Sequence, residues 1–359
     1  MTVGQKNEAS SIAEEWPFAP EPLAAFLARA GRTLDHEVPA TRFSGGLANL
    51  NYRISVDGRP AVLRRAPSGP LPPGAHDMAR EHRVLSALSP AFPLAPDSLA
   101  LCEDPEVLGA PFQILEYREG RTVRGDDLGV LREDEDLPGA LCDLLARPLA
   151  ELHAVDPDAC GLGDLGRPEG FVARNAARWS ARGAELAEGR PEAKLAADIS
   201  AWLDRKLARW DRAEVSLLHC DFKLDNMILA PDRLAPVGIV DWDMATRGEP
   251  LFDLATLLSY WSQPDDPECL RELGQMPTAL PGFPSRRDMA QAYAKASGRS
   301  LDGLDDLYVL SLFKLSAIFL QLHARWKSGA IGDDRYARFE RLGFDLMTHT
   351  WDVARGAAK

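Results

Sequence analysis

The spacing of apolar residues changes character near Gly120. Ahead of it, short apolar runs between turn residues predict strands; beyond it, apolar residues at i, i+3 and i+4 predict helices. Pro20 to Ala30 is an early exception, with Leu23, Phe26 and Leu27 at helical spacing and Gly31 placed as a stop. Between Ala40 and Arg65 the pattern reads as a strand, a Gly-rich turn, a strand, an Asp57-Gly58 hairpin turn and a third strand. A Pro/Gly-rich stretch from 67 to 76 predicts a mobile loop near the cleft. The next segment, Asp77 to Leu88, predicts a helix with Met78, His82, Leu85 and Leu88 on roughly one face. Pro111 to Tyr117 follows as an apolar strand ending in a polar turn.

Helices are predicted at Leu137 to Ala154, where Pro148 should kink or split the pattern, and at Ala196 to Trp210. Further helices are predicted at Leu251 to Trp261, Arg286 to Ser297, Leu304 to Lys327 and Asp333 to Arg355. Leu307 to Trp326 is apolar over much of its surface and should be central to the core. Ser262 to Pro284, Pro-rich and acidic, predicts a loop on the substrate side. His153 reads as a packed or capping histidine.

One stretch breaks the helical rhythm. Met227-Ile228-Leu229 and Val237 to Val240 are short apolar runs around a Pro231-Asp232 turn signal, which predicts a β-hairpin. Asp221 and Asn226 lie just before its first strand, and Asp241 lies just after its second. Closing the hairpin is expected to bring the three together, with Lys223 beside them. Uncompensated carboxylates repel and are costly to desolvate. A divalent cation supplies the compensation: Asn226 and Asp241 offer the oxygen ligands that suit Mg²⁺, which takes few protein carboxylates and completes its shell with phosphates. Asp221 is then free to accept a hydrogen bond from a substrate hydroxyl.

The 359 residues predict one or two domains, and the net charge of −13 argues against a nucleic-acid partner while permitting a cationic substrate. Five scattered cysteines without a CxxC pair read as free thiols. Residues 1 to 15 lack the apolar core of a signal peptide, and no unbroken run of about 18 apolar residues is seen. The expectation is a cytoplasmic protein with no membrane contact. Oligomeric state is not legible.

His219-Cys220-Asp221 through Asn226, then Asp241-Trp242-Asp243, then Asp253-Leu254-Ala255, follow the H-x-D-x-x-x-x-N and later-D pattern of the protein-kinase-like fold. The chain resembles the aminoglycoside phosphotransferase/choline kinase branch, and within it the phosphotransferase-like domain fused to some acyl-CoA dehydrogenases. That resemblance implies an α+β fold of two lobes: a small antiparallel sheet over residues 1–116, and a mainly helical lobe over 117–359 carrying the catalytic hairpin. It implies ATP or GTP with Mg²⁺, and γ-phosphoryl transfer to a small-molecule hydroxyl. The acceptor could be a hydroxyacyl thioester or related metabolite, or an aminoglycoside.

The resemblance also distributes roles. Ser44, Gly45 and Gly46 would cover the phosphates, with Asn49 and Asn51 as supporting polar groups. Arg64, where a lysine is usual, would bind phosphate and pair with Glu81. Glu116, Tyr117 and Arg118 would meet the nucleobase through main-chain atoms. Asp221 would accept the hydroxyl proton, and Lys223 would stabilise the γ-phosphate. Asn226 and Asp241 would hold the metal. His219 would be structural, Asp253 would brace the catalytic loop, and Asp243 would orient waters or a second metal. Cys220 replaces the glycine usual between the His and the Asp, read here as a steric substitution. The rival reading is a pseudokinase-type nucleotide- or metabolite-binding module, supported by Arg64.

Overall fold

The computed structural model describes residues 16–43, 49–66, 77–208, 210, 214–330 and 332–358. The tail before Trp16, the Ser44-Gly45-Gly46 turn and the 67–76 loop lie outside the described residues. In chain order the elements begin with α1 (Pro20–Arg29), β1 (Thr41–Arg42), β2 (Leu50–Val56), β3 (Arg59–Arg65), α2 (Met78–Leu88), β4 (Ser98–Cys102), α3 (Pro105–Leu108) and β5 (Phe112–Glu116). Three helices follow: α4 (Leu137–Ala154), α5 (Phe171–Leu186) and α6 (Ala193–Leu207). Four short strands come next, β6 (Ser216–Leu218), β7 (Met227–Leu229), β8 (Pro236–Ile239) and β9 (Thr246–Gly248). The chain finishes in α7 (Pro250–Ser259), α8 (Glu268–Arg271), α9 (Arg286–Ser297), α10 (Leu304–Lys327) and α11 (Phe339–Ala354). This is an α+β chain that divides into two compact units.

The first unit comprises residues up to Arg121 with 160–162 and 227–245. Its antiparallel sheet has the order β1-β2-β3-β5-β4. β2 and β3 are joined at Asp57-Gly58, both at positive φ (54° and 71°), the twist a two-residue hairpin requires. Alternation sends Tyr52, Ile54, Val56, Ala61, Leu63, Phe112 and Ile114 to one face, where Leu23 and Leu27 of α1 and Leu108 of α3 cover them. Arg64 and Gln113, paired across β3 and β5, are buried on the other face. Two orders of side chain thus come from one strand pair: an apolar core on one side and a polar cluster on the other.

The expected division at residue 116 assigns the hairpin β7–β8 to the helical part. Packing puts it with the sheet unit instead. Arg121 and Leu229 exchange both backbone hydrogen bonds at 2.8 Å, and the Ile239 N–H donates to the Leu94 carbonyl at 2.7 Å. Gly120 permits that close approach.

The second unit is built on α10, buried from Leu304 to Ala317 with few interruptions and packed on α5, α7 and α11. α10 is long and apolar enough to span a membrane, with a mean hydropathy of 1.5, but 78% of that window is buried inside the fold. α4 runs unbroken through Pro148, which is itself buried beside Leu144, Leu145, Leu149 and Leu152. The 262–284 segment contains α8 and a 3-10 turn at Pro277–Ala279. Asp266 anchors it through a two-oxygen ion pair with Arg286, both contacts at 2.6 Å.

A Cβ on Gly120 would lie 2.2 Å from the Leu229 carbonyl oxygen. Gly120→Ala is therefore expected to lose about 1–3 kcal/mol, through overpacking of the hairpin attachment. Gly332→Ala, with nothing within 4 Å of the added atom, should stay within about 0.5 kcal/mol. Urea midpoints of the two variants measure the contrast.

Candidate active site

In the helical unit, β6 pairs with β9 and delivers the chain into His219 to Asn226. Phe222 and Leu224 are buried and anchor this loop, while Asp221, Lys223 and Asp225, alternating with them, are partly exposed. A 3-10 turn, Leu224–Asn226, closes it. The loop is held from beneath by Asp253, fully buried in the first turn of α7. The Asp253 carboxylate accepts the N–H of His219 at 2.6 Å and that of Cys220 at 2.7 Å. His153 extends the chain of contacts, with Nε2 at 3.4 Å from Asp253 and Nδ1 at 2.7 Å from the Tyr293 hydroxyl.

Cys220 has φ +66°, in the left-handed region. Glycine enters that region at no steric cost, which explains physically why glycine is usual there and why the substitution is more than a change of size.

Three donors converge on the Asp221 carboxylate. The Tyr260 hydroxyl donates to Oδ1 at 2.8 Å, the Asn226 amide donates to Oδ2 at 3.0 Å, and Lys223 Nζ lies 3.2 Å from Oδ2. The Lys223 ammonium also sits 4.6 Å from the Tyr260 ring centroid, a cation–π contact. Burial alone would push the Asp221 carboxyl up; Lys223, the Tyr260 hydrogen bond, His219 and Lys314 outweigh it and hold the group below the usual carboxylate range. Lys314, on α10, is buried with its ammonium 3.2 Å from the Cys220 carbonyl. Burial lowers its pKa, against the pull of Cys220, Asp221 and Asp253.

In the sheet unit, Glu81 of α2 is 1% exposed and gathers donors. Arg64 Nε donates to it at 2.8 Å, Gln113 Nε2 at 2.6 Å and the Trp242 N–H at 3.2 Å. Arg64 Nη2 donates in turn to Asp241 Oδ1. Burial opposes the charge on Arg64, but Glu81, Asp241 and Asp243 outweigh it and keep the guanidinium above its ordinary value. Burial also raises the Glu81 carboxyl, against the pull of Arg64. Asp241 itself has φ +72°. The segment after it is pinned by Arg80, which donates to the carbonyls of Asp243 (2.7 Å) and Ala245.

Within each unit, then, several of the expected residues meet: Asp221, Lys223 and Asn226 in one, Arg64, Glu81 and Asp241 in the other. At the end of β5, the Glu116 N–H is committed to the Asp97 carbonyl, Arg118 pairs with Glu116 at 2.8 Å, and Tyr117 lies nearly parallel to Phe43. Ser44, Gly45 and Gly46 are outside the described residues. Tyr260, Lys314, Gln113 and Arg80 were not expected at the site. A lysine inside the apolar α10 run and a glutamine inside PFQILE were the available signals for two of them.

A buried carboxylate bracing the His219–Asn226 loop, together with an α2 glutamate gripping the basic residue of β3, is the arrangement of a protein-kinase-like fold. The chain belongs to the phosphotransferase enzyme family, whose pattern matches residues 39–289. It is 30% identical over 312 residues to acyl-CoA dehydrogenase family member 11 of Gallus gallus, covering 84% of this chain and 38% of that protein. A Ralstonia eutropha protein described as a "putative aminoglycoside phosphotransferase" superimposes with a TM-score of 0.76 at 24% identity, covering 94% of this chain and 99% of that one. Choline kinase of Cryptosporidium parvum follows the same fold, with a TM-score of 0.57 at 11% identity and coverage of 88% and 89%.

Glu81→Gln leaves the Arg64 charge buried with one carboxylate fewer. It should cost about 3 kcal/mol, read as a lowered urea midpoint. Asp221 provides a pH test. A carboxylate whose folded pKa is depressed contributes stability that is present above its unfolded value of 3.8 and lost as pH falls through the folded value. The stability difference between the native chain and Asp221→Asn should therefore hold from pH 7 to about 4 and shrink below that.

Proposed function

We propose that this chain is a Mg²⁺-dependent small-molecule kinase that transfers the γ-phosphoryl group of ATP or GTP to a substrate hydroxyl. The carrying observation is Asp221, a carboxylate kept ionised and aimed by three donors. A carboxylate has about four lone-pair directions, so one remains for a substrate O–H. As the hydroxyl oxygen bonds to the γ-phosphorus and the bond to the nucleoside diphosphate breaks, the proton passes to Asp221. Lys223, moving from Asp221 toward the phosphate, stabilises the transferred group. In this reading Arg64, steadied by Glu81, would bind the phosphate chain, and the main chain of Glu116 to Arg118 would meet the base. Positioning and charge neutralisation account for most of the acceleration in such chemistry.

The donor set fits a magnesium ion. Asn226 commits its amide nitrogen to the Asp221 carbonyl and carboxylate, at 2.9 and 3.0 Å, and neither contact uses its side-chain oxygen. Magnesium takes few protein ligands and draws the rest from phosphates and water. Asn226 and Asp241 would hold it, and it would supply neutralisation of phosphate charge.

Kinship supports two acceptor classes. Curated relatives carry the name acyl-CoA dehydrogenase over a longer chain, which favours a hydroxyacyl thioester or related metabolite; structural neighbours include an aminoglycoside phosphotransferase. Five free thiols favour a reducing compartment such as the cytoplasm.

A screen of hydroxylated metabolites with ATP consumption as readout tests the reading. Asp221→Asn should keep Mg·ATP-dependent thermal stabilisation and lose turnover by at least about 10²-fold. Undiminished turnover in that variant rejects the assignment. Tight Mg·ATP binding with no turnover on any acceptor favours the pseudokinase-type binding module.

A further inference from the structure

We propose that Lys314 is a positioning residue that holds the loop bearing Asp221, and that its task arises because a cysteine stands at the left-handed position 220. The proposal rests on the reading of Asp221 as the group that meets the substrate hydroxyl.

At φ +66° a residue with a Cβ crowds its own backbone, and such a conformation persists only where the surroundings hold it. Here both backbone polar groups of Cys220 are held. Its N–H donates to Asp253 at 2.7 Å, and its carbonyl accepts from Lys314 Nζ at 3.2 Å. The N–H on the far side of that same peptide, belonging to Asp221, donates to His219 Nδ1 at 3.3 Å. The peptide joining Cys220 to Asp221 is thus gripped at both ends. Any rotation of it would swing the Asp221 side chain away from Tyr260 and Asn226.

Lys314 is 4% exposed, in an α10 stretch whose neighbours Phe313 and Leu315 are buried as well. Its ammonium lies 5.2 Å from the ring centroid of Phe252, the residue before Asp253. Lysines are almost never buried this fully without a partner, and an aliphatic side chain would pack helix on helix with less desolvation. What the lysine adds is a donor for the Cys220 carbonyl. A glycine at 220 would adopt the same backbone freely, so the clamp would have far less to hold. Lys314 and Cys220 should therefore be energetically coupled.

The test is a double-mutant cycle in the full chain, with Lys314→Met and Cys220→Gly made singly and together. Urea midpoints, and the kcat and KM for ATP against a substrate found in the screen, are measured on all four proteins. Lys314→Met should lower kcat about tenfold in the native background, with KM for ATP within about twofold, and less than about threefold in the Cys220→Gly background. The loss in urea midpoint should shrink in the same way. Lys314→Gln, which keeps a donor without the charge, should recover part of kcat, and it takes the place of Met in the cycle if the Met variant does not fold. Equal losses in the two backgrounds overturn the proposal. If the native chain consumes no ATP with any acceptor, the kinase reading fails, while the urea cycle still decides the coupling.

Discussion

A carboxylate buried in an apolar core must be met by donors or it destabilises the fold, and Asp253 meets that condition with the backbone of the loop it supports. The constraint works in both directions. The acid needs the two N–H groups because no water reaches it, and the loop can take no shape that turns those groups elsewhere. Through His153 and Tyr293 the same carboxylate ties α4 and α9 to the loop, so that three helices share responsibility for one short stretch of chain. Asp221 follows directly on the two residues whose N–H groups are held, and its carboxylate is then aimed by Tyr260, Asn226 and Lys223.

The sheet unit solves a similar problem with Glu81. An arginine at position 64 suits the solution, because its planar fork can serve two carboxylates at once: Nε faces Glu81 while Nη2 faces Asp241. A lysine ammonium, a single compact charge, would have to divide itself between them. The departure from lysine is thus compatible with an intact ion-pair ladder, and it changes how that ladder is wired.

Local features were legible in the chain. The apolar runs around Pro231-Asp232 mark the hairpin, Asp57-Gly58 marks the turn between β2 and β3, and the spacing of Arg64 and Glu81 within the family pattern anticipates their contact. What escaped was whatever depends on distant partners or on backbone sign. Tyr260 and Lys314 reach the loop across long sequence separations, and nothing in apolar periodicity records that Cys220 or Asp241 takes a positive φ. Pro148 reads as a break, yet burial of the α4 face on both sides of it keeps the helix intact. The acidic, Pro-rich stretch after Trp261 reads as an open loop because its anchoring pair, Asp266 with Arg286, is not adjacent in sequence.

The attachment of β7–β8 to residues near Arg121 has a consequence for how the protein is made. A ribosome releases the sheet strands early, but the ribbon that completes their unit emerges only after residues well beyond Ala245 have been added. At ordinary elongation speeds that leaves an interval on the order of ten seconds in which Leu94 and Arg121 present unmatched backbone groups. Until then the sheet unit lacks the strand pair that the backbone groups of Leu94 and Arg121 meet in the finished fold.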